Sequence, residues 1–122
     1  DQKIILVQPQ TFMNKSGVSV GKIVSFYNIP TQNLLVIHDD LDLILGHYKC
    51  KLGSRAAGHH GVESIIHHLN NQDFYRLRIG IGRPHQGEAN DYVLQKFTKE
   101  ELAILEALYP KLLEEIQEFI AQ

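Results

Sequence analysis

The chain has 122 residues, of which 43% are hydrophobic and 21% are charged, and its formal net charge is −2 at pH 7. This length predicts one domain with a core of its own, and the composition excludes a disordered chain. Apolar runs in the sequence fall well short of the roughly 20 residues that a membrane-spanning helix requires.

The first apolar run, residues 4–7 (IILV), is short and rich in branched side chains, which predicts a strand buried on both faces of a parallel sheet. Apolar residues at positions 20, 23, 24 and 27 recur at helical spacing, so a helix is predicted over residues 16–28, and Pro30 ends it. Residues 34–38 and 47–52 are predicted to form the next two strands.

A second helix is predicted over residues 61–70, where apolar residues again repeat at helical spacing. Around Arg78, three apolar residues alternate with polar or small ones and indicate a strand with one apolar face. Residues 98–101 (TKEE) form a capping box that opens a final helix, which Pro110 is expected to break or kink. Alternating strands and helices predict an α/β fold with a mostly parallel sheet.

Charge and the single cysteine add two expectations. Between residues 47 and 83 six cations stand against two acids, and from residue 84 onward the acids dominate. This distribution allows a phosphate-binding face, although ordinary solvated charge explains it equally well. Cys50 cannot form an internal disulfide, which fits a reducing cytoplasm, and its alternation with Lys49 and Lys51 predicts that it faces the core.

Polar side chains follow two of the predicted strands, with Asn14 after the first and Asp39 at the end of the second. Ligand crevices of open α/β sheets lie at the carboxyl ends of the strands, so we expect these two residues in one cleft, with Asp39 partly buried at its floor. The alternatives are helix capping by Asn14 and an Asx-turn within residues 39–42, which suits Asp40 and Asp42 better than Asp39. His38 is a poor partner for Asp39, because neighbouring strand side chains point to opposite faces.

Six blocks of the sequence together resemble the bacterial-type peptidyl-tRNA hydrolases, in the order and near the spacing of that family. They are residues 11–14 (TFMN), 38–42 (HDDLD), 49–53 (KCKLG), 58–61 (GHHG), 74–84 (FYRLRIGIGRP) and 91–94 (DYVL). The resemblance implies a single domain over residues 1–122, with a mostly parallel or mixed twisted sheet and helices on both faces in a three-layer sandwich.

The same resemblance implies hydrolysis of the ester bond between peptide and tRNA in peptidyl-tRNA, which recycles tRNA from stalled translation. It implies a cytoplasmic monomer that needs no metal or organic cofactor. The alternative is a catalytically incomplete remnant of the fold that binds tRNA or peptide. A zinc hydrolase built on His59, His60, His67 and His68 is remote, since the ligand spacing of zinc sites is missing.

Residue roles also follow from the resemblance. Asp39 matches the aspartate that orients the catalytic histidine, and His60 stands where the family has a peptide-binding asparagine. Three further matches concern the substrate and three the phosphates of the tRNA acceptor arm. The substrate residues are Phe12, Met13 and Asn14, and the phosphate residues are Lys49, Lys51 and Arg78.

The resemblance carries departures as well. Family members begin with a strand and a segment holding the catalytic histidine, which nothing in this chain matches, and their usual end extends past the last helix. From this we expect the 122-residue chain to lack the base, to show little activity alone and to expose a sheet edge that favours self-association. His60 as a substitute base is the less favoured alternative.

Overall fold

A computed structural model describes residues 3–56, 58–82 and 97–122. The chain forms two compact units, each made of two separate segments of the sequence. Unit 1 comprises Asp1–Leu34 and Leu52–Phe74, and unit 2 comprises Leu35–Lys51 and Tyr75–Gln122. The single domain expected over residues 1–122 stays a prediction.

Unit 1 is built on two helices, α1 (Ser16–Tyr27) and α2 (His60–Leu69), with short 3-10 helices at Met13–Lys15 and Thr31–Asn33. Both α-helices lie within one residue or so of their predicted bounds. Each ends on an asparagine in the left-handed conformation, Asn28 and Asn70, a position for which asparagine is among the better residues after glycine.

The two helices of unit 1 pack closely at Gly17. Its backbone N–H donates a buried hydrogen bond of 2.9 Å to Oγ of Ser64, and a Cβ added at Gly17 would collide with the backbone carbonyl of Ser64. The absence of a side chain at Gly17 therefore sets the distance between α1 and α2.

The strand predicted over residues 4–7 is wrong. This stretch is irregular, and Leu6 is 91% exposed, with Ile4 and Val7 also exposed. A strand persists only where a neighbour pairs with its backbone, and in the part of the chain that the structure describes no strand is paired with these residues. A run of branched apolar residues is therefore not sufficient to predict a strand.

Unit 2 is built on a sheet of three strands, β1 (Leu35–Asp40), β2 (Tyr48–Leu52) and β3 (Tyr75–Gly80), in the order β1-β3-β2. β1 and β3 are parallel, with Ile37 opposite Leu77. β2 runs antiparallel to β3, because the N–H of Gly80 bonds to the carbonyl of His47 and the N–H of Gly53 bonds to the carbonyl of Phe74. The described sheet is therefore mixed rather than mostly parallel, and the predicted α/β class is confirmed.

The long helix α3 (Lys99–Ala121) covers the apolar face of this sheet and begins at the predicted capping box, with both Thr98–Glu101 hydrogen bonds formed. Its Leu108 and Leu112 form a core with Leu77, and Cys50 packs against that core as predicted. Pro110 lies inside a continuous helix, so the expected break is wrong, and the alternative of a kink stays a prediction. Leucines on either side of Pro110 are anchored, and the exposed surface around it lets water replace the lost backbone bond.

Among the described helices, none has the combination of length and hydropathy that crossing a membrane requires.

Candidate active site in two parts

The substrate residues predicted in unit 1 lie on a tight turn that backbone and side-chain hydrogen bonds fix. The N–H of Lys15 donates to the carbonyl of Phe12 at 2.8 Å, and Oγ of Ser16 donates to the carbonyl of Met13 at 2.7 Å. Phe12 is 81% exposed and Met13 is exposed as well. Large apolar side chains held in water by a rigid turn are typical of a contact surface rather than a core.

Met13 brings this turn to the first turn of α2. A Cβ added at Gly61 would lie 2.6 Å from the Met13 sulfur, so the thioether occupies the space that a side chain at position 61 would need. Unit 1 therefore places the turn of residues 11–14 beside His60, the residue that follows the loop at the start of α2.

Asn14 does not cap the helix that follows it. The N-cap residue of α1 is Lys15, and no side-chain hydrogen bond caps the helix. Asn14 is exposed, so the capping alternative is wrong and its amide, with one acceptor and two donor N–H groups, faces solvent.

Two adjacent histidines at the start of α2 have different surroundings. Nδ1 of His59 accepts the backbone N–H of Val62 at 3.2 Å and caps α2, which requires that nitrogen to be unprotonated. The His60 side chain is 63% exposed, with Nδ1 3.6 Å from a carboxylate oxygen of Glu63. In the described ranges no three His, Cys, Asp or Glu side chains gather as metal ligands.

Asp39 lies in unit 2, half-buried near the end of β1. By strand alternation it shares the sheet face of Ile37 and Leu77, whereas His38 lies on the opposite face. Nδ1 of His38 is 2.7 Å from the Asp39 carbonyl oxygen, and since a carbonyl only accepts, Nδ1 carries the proton. The ring thus binds the backbone of Asp39. Because Asn14 belongs to unit 1, its common cleft with Asp39 stays a prediction.

The predicted phosphate residues share the other face of the sheet. The β2–β3 register given by the two backbone bonds above places Lys49 opposite Arg78 and Lys51 opposite Arg76. Both lysines are exposed, and Arg76 is only 2% exposed. Burial, together with the neighbouring Arg78, lowers the pKa of the Arg76 guanidinium. Like charges directly opposite destabilise a sheet, and on this face the carboxylate of Asp40 offsets part of the repulsion.

The carboxylate of Asp40, which lies on this cationic face, accepts two hydrogen bonds. Oδ2 accepts from Nε of Arg78 at 2.5 Å, and Oδ1 accepts the N–H of Asp42 at 2.7 Å, which is the predicted Asx-turn. Burial raises the pKa of Asp40, but the Asp42 N–H, Arg78 and His38 outweigh it and hold the pKa below its ordinary value. The pair of Asp40 and Arg78 is not evident from the sequence, because it depends on the register between β1 and β3.

Comparisons with known proteins identify the family. The profile of the peptidyl-tRNA hydrolase family matches residues 1–122. The peptidyl-tRNA hydrolase of Mycoplasma capricolum is 47% identical over 98% of this chain and 64% of its own length, and that of Carboxydothermus hydrogenoformans is 51% identical over 85% and 56%. The crystal structure of the Acinetobacter baumannii peptidyl-tRNA hydrolase has a TM-score of 0.86 at 34% identity, covering 93% of this chain and 58% of that chain. The chain thus spans less than two thirds of the length of these relatives.

Proposed function

Because the chain belongs to the peptidyl-tRNA hydrolase family, we propose that its function is hydrolysis of the ester bond between peptide and tRNA in peptidyl-tRNA, in the cytoplasm. The observation that carries the proposal is the cationic sheet face of Lys49, Lys51 and Arg78 on the same three strands as Asp39. A phosphate-binding face and a half-buried carboxylate in one unit suit an ester substrate attached to RNA.

The reaction follows general-base logic. A histidine removes a proton from water, the water oxygen attacks the ester carbonyl, and the carbon–oxygen bond to the ribose breaks as the ribose oxygen takes up a proton. Asp39 would orient the imidazole and stabilise its cation. Amide groups such as that of Asn14 would hold the acyl group and the developing oxyanion, while Phe12, Met13 and His60 would line its path.

Histidines of this chain are poorly placed to act as the base. His38 lies on the sheet face opposite the Asp39 side chain, and the His60 ring lies beside Glu63, a surface carboxylate. We therefore expect Asp39 to act on an imidazole that this chain does not supply.

Chemical rescue tests this proposal directly. Release of tRNA from a blocked aminoacyl-tRNA is followed with the 122-residue chain in the presence and absence of added imidazole. We expect imidazole to stimulate turnover by the wild-type chain and to have no effect on Asp39→Asn. Stimulation that is equal in both proteins would reflect solution catalysis and would contradict the role of Asp39.

The second candidate function is binding without catalysis, and the position of His38 away from Asp39 favours it. Under this alternative the chain binds tRNA or peptide on the same surfaces, and imidazole changes nothing. The rescue experiment therefore separates the two functions, provided that tRNA binding is measured on the same preparation.

We also propose that the complete enzyme is a monomer and that the isolated chain self-associates. In the described sheet β1 is paired on one side only, with β3, and Ile37 on this strand is exposed beside Tyr109 and Leu113 of α3. Edge strands with apolar neighbours are templates for pairing. Sedimentation of the chain at several concentrations tests this, and a concentration-independent monomer would contradict it.

A further inference from the structure

We propose that Asp40 is a positioning residue for phosphate recognition: its carboxylate fixes the guanidinium of Arg78 in one orientation, so that the cationic face fits a rigid RNA duplex arm. This inference rests on the proposed function, since it assumes that Arg78 contacts phosphate. It adds a residue whose charge is opposite to that of the surface on which it lies.

The contact geometry is the first argument. A guanidinium has five N–H donors, and Asp40 takes the one on Nε. One N–H on each of the two Nη atoms still forms a planar fork at the outer end of the guanidinium, which is an arrangement that binds two oxygens of a phosphate at once. A lysine, or an arginine held only by its flexible chain, would not have that fixed plane.

The second argument is that Asp40 is itself held in place. Its other carboxylate oxygen accepts the N–H of Asp42, and its backbone carbonyl accepts the N–H of Ile81. The side chains of Asp40 and Arg78 are 11% and 18% exposed, so the pair is mostly shielded while part of Arg78 still reaches solvent. Rotamer freedom is removed before any ligand arrives, which lowers the entropic cost of binding.

The third argument concerns cost. A negative charge that interacts with Arg76 and Arg78 weakens the general attraction of this face for any polyanion. Buried ion pairs are also poor stabilisers compared with apolar residues of similar size. General affinity for polyanions therefore does not explain the carboxylate, and the modest stability that the pair adds does not require a charge at this position. Orientation of Arg78 does, because it favours phosphates at fixed spacing over phosphates on a flexible strand.

The experiment compares two RNA probes of equal charge, a 5′-phosphorylated hairpin that reproduces a tRNA acceptor arm and a single-stranded oligouridylate. Their affinities for the wild-type chain give a selectivity ratio. We expect Asp40→Asn to lower this ratio by about tenfold because preorganisation is lost, with oligouridylate binding unchanged or tighter. The control Glu114→Gln removes the same charge on the exposed side of α3 and should keep the ratio.

A second variant and an NMR measurement distinguish a loss of Arg78 orientation from misfolding of the chain. Asp40→Glu keeps the charge but shifts the carboxylate by one methylene, so we expect an intermediate ratio. The NMR signal of the Arg78 Nε–H should exchange with water at least about tenfold faster in Asp40→Asn, since it loses its charged acceptor.

The outcomes are distinguishable. A ratio that stays within twofold in Asp40→Asn, while Arg78→Ala lowers it, would overturn the positioning role and leave the proposed function intact. A wild-type ratio in Asp40→Glu would show that charge alone matters, which also overturns it. Equal affinity of the wild-type chain for both probes would contradict the proposed tRNA function, and the inference with it.

Discussion

Unit 1 and unit 2 present different chemistry from different kinds of structure. Unit 1 offers neutral groups, Phe12, Met13 and Asn14, from a turn that packs on a helix end. Unit 2 offers charged groups from strands, where the register fixes which side chains are neighbours. Charged groups need this precision, because a cation misplaced by one residue moves to the other face of the sheet. Contacts made by neutral groups depend less on exact position, so a turn is sufficient to present them.

The largest expected effect concerns turnover, and it tests whether the two units suffice for chemistry. We expect the 122-residue chain without imidazole to hydrolyse a blocked aminoacyl-tRNA about 100 to 10,000 times more slowly than a complete family member, which is the usual contribution of a general base. The assay is release of free tRNA. Turnover near that of the complete enzyme and abolished by His60→Ala would identify His60 as the base, whereas turnover that survives this change would indicate another base or contamination.

The next effect concerns the helix packing of unit 1. Gly17→Ala should lower the free energy of unfolding by about 3 kcal/mol, because the new methyl group meets the rigid carbonyl of Ser64 rather than a flexible side chain. Urea unfolding followed by helical circular dichroism measures it. Gly21→Ala is the matched control: its Cβ would lie 3.7 Å from His68, so helix propensity should make it neutral or stabilising. Equal losses in both variants would contradict close packing at Gly17.

A smaller effect concerns the ion pair of unit 2. The pKa of Asp40 is held below its ordinary value of 3.8, so the pair stabilises the folded state above that pH, and the stabilisation is lost as the pH falls through the lowered pKa. Asp40→Asn should cost about 1 to 2 kcal/mol at pH 7, and the difference from wild type should vanish in strong acid. Unfolding curves at pH 7 and at a series of lower pH values check this; a difference that does not shrink as the pH falls would contradict a charge effect.

The smallest effect separates charge used for binding from charge that is only solvated. Lys51→Ala and Arg78→Ala should each weaken binding of a tRNA acceptor arm and reduce the slope of log affinity against log salt by about 0.9. Lys22→Ala in unit 1 removes the same charge from α1 and serves as the control. Unchanged slopes in all three variants would show that the strand cations do not contact phosphate.

The sequence predicted most elements because their signals are local. Helical spacing and the Thr98–Glu101 capping box indicated helices that the structure confirms. The predictions failed where the structure depends on a contact with residues that are distant in sequence, or where the required neighbour is not there. Residues 4–7 resemble a strand but lack a paired neighbour, and Pro110 is accommodated because tertiary packing holds α3 on both sides of it. Tertiary packing overrides propensity in such cases.

The same contrast between local signals and distant partners applies to the candidate site residues. The motifs suggested Asn14, Asp39 and the cations as site residues, which stays a prediction. Strand alternation predicted that His38 and Asp39 lie on opposite faces, and both residues do lie in β1. The bond between Asp40 and Arg78 joins residues 38 positions apart, and only the parallel register between β1 and β3 brings them together. A sequence read in one dimension does not contain that register, so the partner of Asp40 had to come from the structure.

The interleaved arrangement of the two units has a consequence for the order of folding. The chain leaves unit 1 after Leu34, returns to it at Leu52 and leaves again after Phe74, so β1 must wait for β3 until the second stretch of unit 1 has been made. Pairing at such sequence separation raises the contact order, which slows folding. During synthesis on a ribosome, β1 is therefore an unpaired apolar strand for a time, and this interval is when a chaperone would be expected to protect the nascent chain.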